Sequence, residues 1–207
     1  CFLAEKELEK AIAICTRLTK KDPTNLGWQL EMAALHNQVG FVLLAQDLPV
    51  EAQREFELTV TIVRGLVEHD PANPIWERQL SLAYVRLGDF FREQAKIPEA
   101  GAAFTEAMSR SRRLVEKDET NAHWQKDLAV AYNRMGGLLE ARGELDKAQG
   151  VFKQALEISR RLVESNPNSP AWERELAIAY NRLGGVLESQ GKATEADGTL
   201  IRFEPDP

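Results

Sequence analysis

Asparagines that could hold another chain recur at a fixed interval. Asn133 and Asn181 are 48 residues apart, and Asn37 stands two such intervals before Asn133, while Val85 breaks the column. A side-chain amide offers an acceptor and donors without charge, which suits the backbone of an extended peptide. The column therefore predicts contact with a bound peptide.

Basic residues accompany this column in three of four copies, directly after it and seven positions before it. They are Arg78, Arg86, Lys126, Arg134, Arg174 and Arg182. A guanidinium binds a carboxylate or a phosphate, so these residues predict a partner with acidic groups. A second interpretation stays open, because Glu31, Asp127 and Glu175 form their own column. They could pair with the cations of adjacent copies in a surface ladder that stabilises little.

Residues that could carry catalysis are few. His36, His69 and His123 share no spacing, and only His36 falls on a recurring position, where the other copies have tyrosine. No HExxH, paired CxxC or GxSxG motif occurs, and the glycine before Lys192 lacks the other residues of a phosphate loop. We therefore expect no catalytic residue, no metal, no cofactor and no enzymatic activity.

Composition narrows the class of protein. The chain has 207 residues, 43% hydrophobic and 28% charged, with a net charge of −6. This is the balance of a soluble globular protein, and the acidity argues against nucleic acid as a partner. No apolar run is long enough to span a bilayer, and no secretory signal opens the chain. Cys1 and Cys15 are too far apart on one helix to form a disulfide, and free thiols favour the cytoplasm.

The same interval governs the whole chain. Four tryptophans recur every 48 residues: Trp28, Trp76, Trp124 and Trp172. Glycines stand twelve residues later (Gly40, Gly88, Gly136, Gly184), and Asn25, Asn73, Asn121 and Ser169 stand three residues earlier. A sustained period of this length is typical of a protein built from stacked repeats.

Each repeat carries two helical patterns. The first begins at the Asn or Ser position, where the side chain can cap the free amides of a helix. Apolar residues then recur three or four apart, and Gly143 or Gly191 ends the helix. The second runs from about Leu145 to Val163 and ends before a proline-containing turn at Asn166. Since no segment alternates as a strand does, we expect an all-α protein.

Two repeats carry most of a known signature. The matching residues are Tyr132, Met135, Gly136, Leu139, Gly143, Ala148, Phe152 and Ala155, then Tyr180, Leu183, Gly184, Leu187, Gly191, Ala196 and Leu200. The chain thereby resembles the tetratricopeptide repeat (TPR) family over nearly its whole length. Asp47 and Ala95 depart from the pattern at the turn glycine. The usual unit has 34 residues, and the extra residues here lengthen each helix by about two turns.

The resemblance implies a right-handed α-solenoid of stacked antiparallel helix pairs, about nine helices in one domain over residues 1–203. The second helix of a preceding unit would span 1–21, and repeats would start near 25, 73, 121 and 169. The last repeat would be truncated, with a short helix from near Thr194 and a tail at 204–207. We expect each tryptophan to wedge between successive repeats. We expect Gly136 and Gly184 to admit the small Ala148 and Ala196 of the paired helix.

The resemblance also implies a function. First helices of TPR proteins line a concave groove, and the asparagine column would point into it. We therefore predict a non-enzymatic, cytoplasmic protein–protein interaction scaffold that binds a peptide or partner domain there, with no nucleic-acid or membrane partner. The alternative is a regulatory or sensory solenoid of a larger multidomain signalling protein, acting on an enzyme domain absent from this chain. The opening helix leaves Phe2, Leu3, Ile12 and Ile14 uncovered, which predicts self-association or domain packing through it.

Overall fold

The protein is described by a computed structural model over residues 2–191, with side chains from residue 6 onward. Eight helices account for these residues, and no strand occurs among them. They are α1 Phe2–Lys21, α2 Leu26–Leu44, α3 Pro49–His69, α4 Pro74–Glu93, α5 Ile97–Lys117, α6 Ala122–Ala141, α7 Leu145–Ser165 and α8 Pro170–Ser189. The all-α prediction is confirmed. The ninth helix expected near Thr194, the residues Ala196 and Leu200, and the tail lie outside the described residues.

The helices form two compact units, an N-terminal unit through Ala95 and a C-terminal unit from Lys96. Within each unit every helix packs against the next one along the chain, and α6 also touches α8. Neighbours run antiparallel: the end of α2 meets the start of α3 at Gly40 and Phe56, while Thr59 donates to the Ala33 carbonyl further back. Paired antiparallel helices are what the repeat pattern predicts.

Asparagine side chains fix the starts of the first helices. The Oδ1 atoms of Asn25 and Asn121 accept from the backbone N–H three residues on, at 3.3 and 3.2 Å, and Asn73 Oδ1 accepts from Ile75 N–H at 3.0 Å. Ser169 holds the same position, but its side chain makes no capping bond. The reason is local, because the Trp172 N–H is already taken by the Ser169 backbone carbonyl at 3.0 Å.

Glycine in mid-helix allows a close helix approach, but the group it admits is not the alanine we expected. A Cβ added to Gly136 would lie 2.5 Å from Cε1 of Phe152, and one added to Gly40 would lie 2.8 Å from Cε1 of Phe56. Such distances leave no room for a methyl group. A buried aromatic ring, rather than Ala148, therefore fills the space opposite the glycine.

The turn between the two helices of a repeat keeps one backbone shape whatever residue it holds. Gly143 and Gly191 have φ of 72°, as a left-handed C-cap requires. Asp47 and Ala95, which replace the glycine, adopt φ of 62° and 55°. The first two repeats thus form the same turn without the residue that favours it.

Trp172 contacts helices of the preceding repeat, as expected. It packs against the buried cluster of Leu128, Tyr132, Ile158 and Leu162, which α6 and α7 provide. The His123 and Trp172 rings also form a T-shaped pair, with ring centroids 6.5 Å apart. The tryptophan therefore ties α8 to the repeat before it.

Candidate functional site

The N-terminal unit contains a cleft between two first helices, α2 and α4. It encloses about 370 Å³, and the second helix α3 forms its floor through Thr59 and Val63. We call it the α2–α4 cleft. Its other lining residues are Gly27, Leu30, Glu31, Ala33, Ala34, Asn37, Gln38, Gln79, Ala83 and Arg86. Small side chains on both walls keep the cleft open.

Asn37 carries the most informative atom of this cleft. Its side chain is only 8% exposed, and its Oδ1 atom has no hydrogen-bond partner among the described residues. An unpaired buried carbonyl costs about 1–3 kcal/mol. Asn37 lines the cleft, so a turn of its amide would present this oxygen to a donor brought in from outside and remove the cost.

Arg86 supplies a cation on the opposite wall. No described residue forms an ion pair with it, and desolvation lowers the pKa of its guanidinium below the usual value. The group stays charged at neutral pH. Because Arg86 is exposed and forms no ion pair with Glu31 or any other described carboxylate, its guanidinium is accessible to an incoming anion.

In the C-terminal unit an ion pair joins α6 to α8, at the positions equivalent to Leu30 and Gln79. Lys126 Nζ lies 3.5 Å from a carboxylate oxygen of Glu175 and 5.9 Å from the centre of the Trp172 ring. The N-terminal unit has Leu30 and Gln79 at the equivalent places, which cannot form an ion pair. At Lys126, therefore, the geometry is that of the inter-repeat ladder. Asn133 resembles Asn37 in having a buried Oδ1 atom without a partner within the described part of the chain.

The remaining predicted residues are more varied. Arg78 and Arg134 are half-buried, and each has an interaction with a neighbouring group. Arg174, Asn181 and Arg182 are exposed on α8. Only Asn37 and Arg86, of the nine, line the α2–α4 cleft.

A recurring arginine–tyrosine hydrogen bond, which we call the tether, joins successive repeats and was not predicted from the sequence. In three repeats an arginine of a second helix donates to the hydroxyl of the tyrosine twenty residues later, on the next first helix. The pairs are Arg64–Tyr84 at 2.7 Å, Arg112–Tyr132 at 2.8 Å and Arg160–Tyr180 at 3.1 Å. The arginines recur every 48 residues, which is the signal that could have revealed them.

His36 occupies the tyrosine position of the first repeat. Its Nδ1 atom lies 2.6 Å from Oε2 of Glu55 on α3, and its side chain is 14% exposed. This contact joins α2 to its own second helix.

A second cleft was also missed. It lies between α1 and α2, encloses about 310 Å³ and is lined by Ala11, Ile14, Cys15, Glu31, Ala34, Leu35 and Gln38. We call it the α1–α2 cleft. Cys15 is buried and unbridged, and burial, with a smaller contribution from Glu31, raises the pKa of its thiol above the usual 9.0.

The described residues form neither a metal site nor a membrane-spanning helix. Between residues 2 and 191, no group of three or more His, Cys, Asp or Glu side chains is placed to hold a metal ion. None of the eight helices has the length and apolar character that crossing a membrane requires.

Comparison with known proteins identifies the repeat. Residues 128–171 match the family model of the tetratricopeptide repeat. Among solved structures, TPR-like repeats of a Podosopora anserina kinesin light chain candidate superpose with a TM-score of 0.58 at 18% identity, covering 95% of this chain and 82% of that one. No curated protein matches significantly.

Two further structures share the fold. MamA has a TM-score of 0.52 at 19% identity, with 95% of this chain and 86% of that chain covered. BtubC from P. vanneervenii has a TM-score of 0.53 at 18% identity, with 98% and 93% covered. The chain thus carries a tetratricopeptide repeat within residues 128–171 and has the fold of TPR-like repeat proteins.

Proposed function

We propose that this chain is a non-enzymatic interaction scaffold that holds an extended segment of a partner protein in the α2–α4 cleft. The observation that carries the proposal is Asn37, whose side chain lines the cleft and whose buried Oδ1 atom has no hydrogen-bond partner among the described residues. Buried acceptors are usually paired with a donor, so an unpaired acceptor beside a cleft favours a donor supplied by a ligand. A peptide N–H would satisfy it.

The chemistry of the walls favours a peptide with an acidic group. Ala33, Ala34 and Ala83 leave space for a backbone to approach, and Arg86 offers its guanidinium to a carboxylate. The amide and the cation lie on different helices, so both would contact a chain lying in the cleft. The TPR-like fold supports the scaffold role, since such repeats generally bind other proteins. The free Cys15 thiol fits our placement of the protein in the reducing cytoplasm.

The proposal is tested with peptides selected from a displayed library of random twelve-residue sequences. A selected peptide is labelled with fluorescein, and its Kd is measured by fluorescence anisotropy. We expect Asn37→Ala and Arg86→Gln each to weaken binding about tenfold, as the loss of one well-placed hydrogen bond would. The matched control is Arg54→Gln, because Arg54 is exposed on the second helix α3. If no peptide is selected, or if all three variants bind as the wild type does, the proposal is wrong.

A further inference from the structure

The two clefts of the N-terminal unit are one feature repeated. Five of the residues that line the α1–α2 cleft have a counterpart 48 positions later that lines the α2–α4 cleft. The pairs are Ala11 and Thr59, Cys15 and Val63, Glu31 and Gln79, Leu35 and Ala83, and Gln38 and Arg86. Equivalent positions of successive repeats therefore create equivalent clefts. They lie on the two sides of α2 and share Glu31, Ala34 and Gln38 as the ridge between them.

The chemistry of the two clefts differs. The α1–α2 cleft has apolar walls, with Leu35 on one side and Ile14, which is 49% exposed, on the other. Among the described residues that line it, Glu31 alone is a carboxylate or a cation. The α2–α4 cleft shares Glu31 but adds the amide of Asn37 and the cation of Arg86. An apolar side chain is therefore favoured in the first cleft, and an acidic one in the second.

The spacing of the clefts sets the spacing of the residues that enter them. Two clefts on either side of one helix are separated by about one interhelical distance, roughly 8–10 Å. A peptide in the polyproline II conformation advances about 3.1 Å per residue and points every third side chain the same way. Three residues of such a peptide therefore cover the distance from one cleft to the next.

Resting on the proposed function, we infer that the N-terminal unit recognises a peptide with an apolar side chain and, three positions away, an aspartate or glutamate. The apolar side chain occupies the α1–α2 cleft against Ile14 and Leu35. The carboxylate binds Arg86, and the backbone between them crosses the Ala34 and Gln38 ridge of α2. The spaced pair, rather than either residue alone, is the recognised feature.

The test repeats the library selection on the wild-type chain, Ile14→Ser, Arg86→Gln and the control Arg54→Gln. Ile14 and Arg54 are exposed, so these substitutions leave the fold intact. With the wild type and the control, we expect enrichment of an apolar and an acidic residue three positions apart. Ile14→Ser should lose the apolar preference, and Arg86→Gln the acidic one. Exchange of the acidic residue of a selected peptide for its amide should cost about tenfold in Kd on the wild type and almost nothing on Arg86→Gln.

The outcomes of this test distinguish a failure of the inference from a failure of the proposed function. If the selected peptides depend on Asn37 and Arg86 but show no pair at this spacing, the inference is overturned and the proposed function stands. Enrichment of the pair that survives both Ile14→Ser and Arg86→Gln overturns the inference as well. A selection that yields no peptide contradicts both.

Discussion

Arg112 and Tyr132 join two successive repeats through a contact that is both polar and stacked. Nη2 of Arg112 donates to the Tyr132 hydroxyl at 2.8 Å, and its guanidinium carbon lies 5.8 Å from the centre of the ring. This hydrogen bond keeps the pKa of Arg112 above its usual value. The tyrosine is one of the residues by which the sequence resembles the TPR family, and its partner explains what the hydroxyl does.

Removal of this hydroxyl should weaken the C-terminal unit. Tyr132 is buried, so Tyr132→Phe keeps the ring but leaves Arg112 without its acceptor. We expect a loss of about 1 kcal/mol in the free energy of unfolding, measured by urea denaturation. Tyr180→Phe is the matched control, because the bonds from Arg160 to Tyr180 are exposed. Its effect should be smaller, and a Tyr132→Phe protein as stable as the wild type would contradict a stabilising role of the tether.

Two adjacent glycines should respond in opposite directions to the same substitution. Gly136→Ala places a Cβ 2.5 Å from the Phe152 ring, whereas Gly137→Ala meets nothing within 4 Å. We expect Gly136→Ala to lower the free energy of unfolding by about 1–3 kcal/mol through overpacking. Gly137→Ala should raise it by about 0.5–1 kcal/mol, because alanine favours a helix. Equal effects of the two changes would show that Phe152 does not need the glycine.

Replacement of the turn residue Ala95 by glycine should stabilise the protein. Its φ of 55° places it in the left-handed region, which costs a residue with a Cβ about 1–2 kcal/mol. We therefore expect Ala95→Gly to raise the melting temperature, as measured by circular dichroism. The reverse change, Gly143→Ala, should lower it by a similar amount, because Gly143 has φ of 72°. A lower melting temperature for Ala95→Gly would refute the strain.

The Cys15 thiol should react slowly while the protein is folded. Burial raises its pKa, so less of the reactive thiolate is present at pH 8.5 than in an unfolded chain. In a Cys1→Ser background, alkylation of Cys15 by iodoacetamide should be at least about tenfold faster in denaturant than in buffer, followed by mass spectrometry. A peptide in the α1–α2 cleft should slow the reaction further. Equal rates in buffer and denaturant would place the thiol at the surface.

Much of this architecture is readable in the sequence, since local rules determine it. Asn25, Asn73 and Asn121 cap helices where the capping rule puts them, and the glycine turn holds its shape even at Asp47 and Ala95. Contacts between helices are harder to predict. The repeat shows that Gly136 faces a neighbouring helix, but not that Phe152 rather than Ala148 fills the space.

The site shows the same division. The residue types of the site recur every 48 positions in the sequence, but residues at equivalent positions differ in how deeply they are buried. Asn37 is buried and Asn181 is exposed, although both stand at the same position of their repeats. Lys126 looks like a ligand contact in the sequence, yet it pairs with Glu175 because that carboxylate reaches it across the repeat boundary. A sequence period cannot tell these environments apart.

The central claim is that Asn37 is retained for a partner and not for the fold. The most direct measurement is the melting temperature of wild-type and Asn37→Ala protein, each with and without a selected peptide. Without peptide, Asn37→Ala should melt at the same temperature or higher, because the variant no longer buries an unpaired oxygen. With peptide, the wild type should gain stability through binding and the variant should gain little. If Asn37→Ala melts several degrees lower without peptide, Asn37 serves the fold and the claim is wrong.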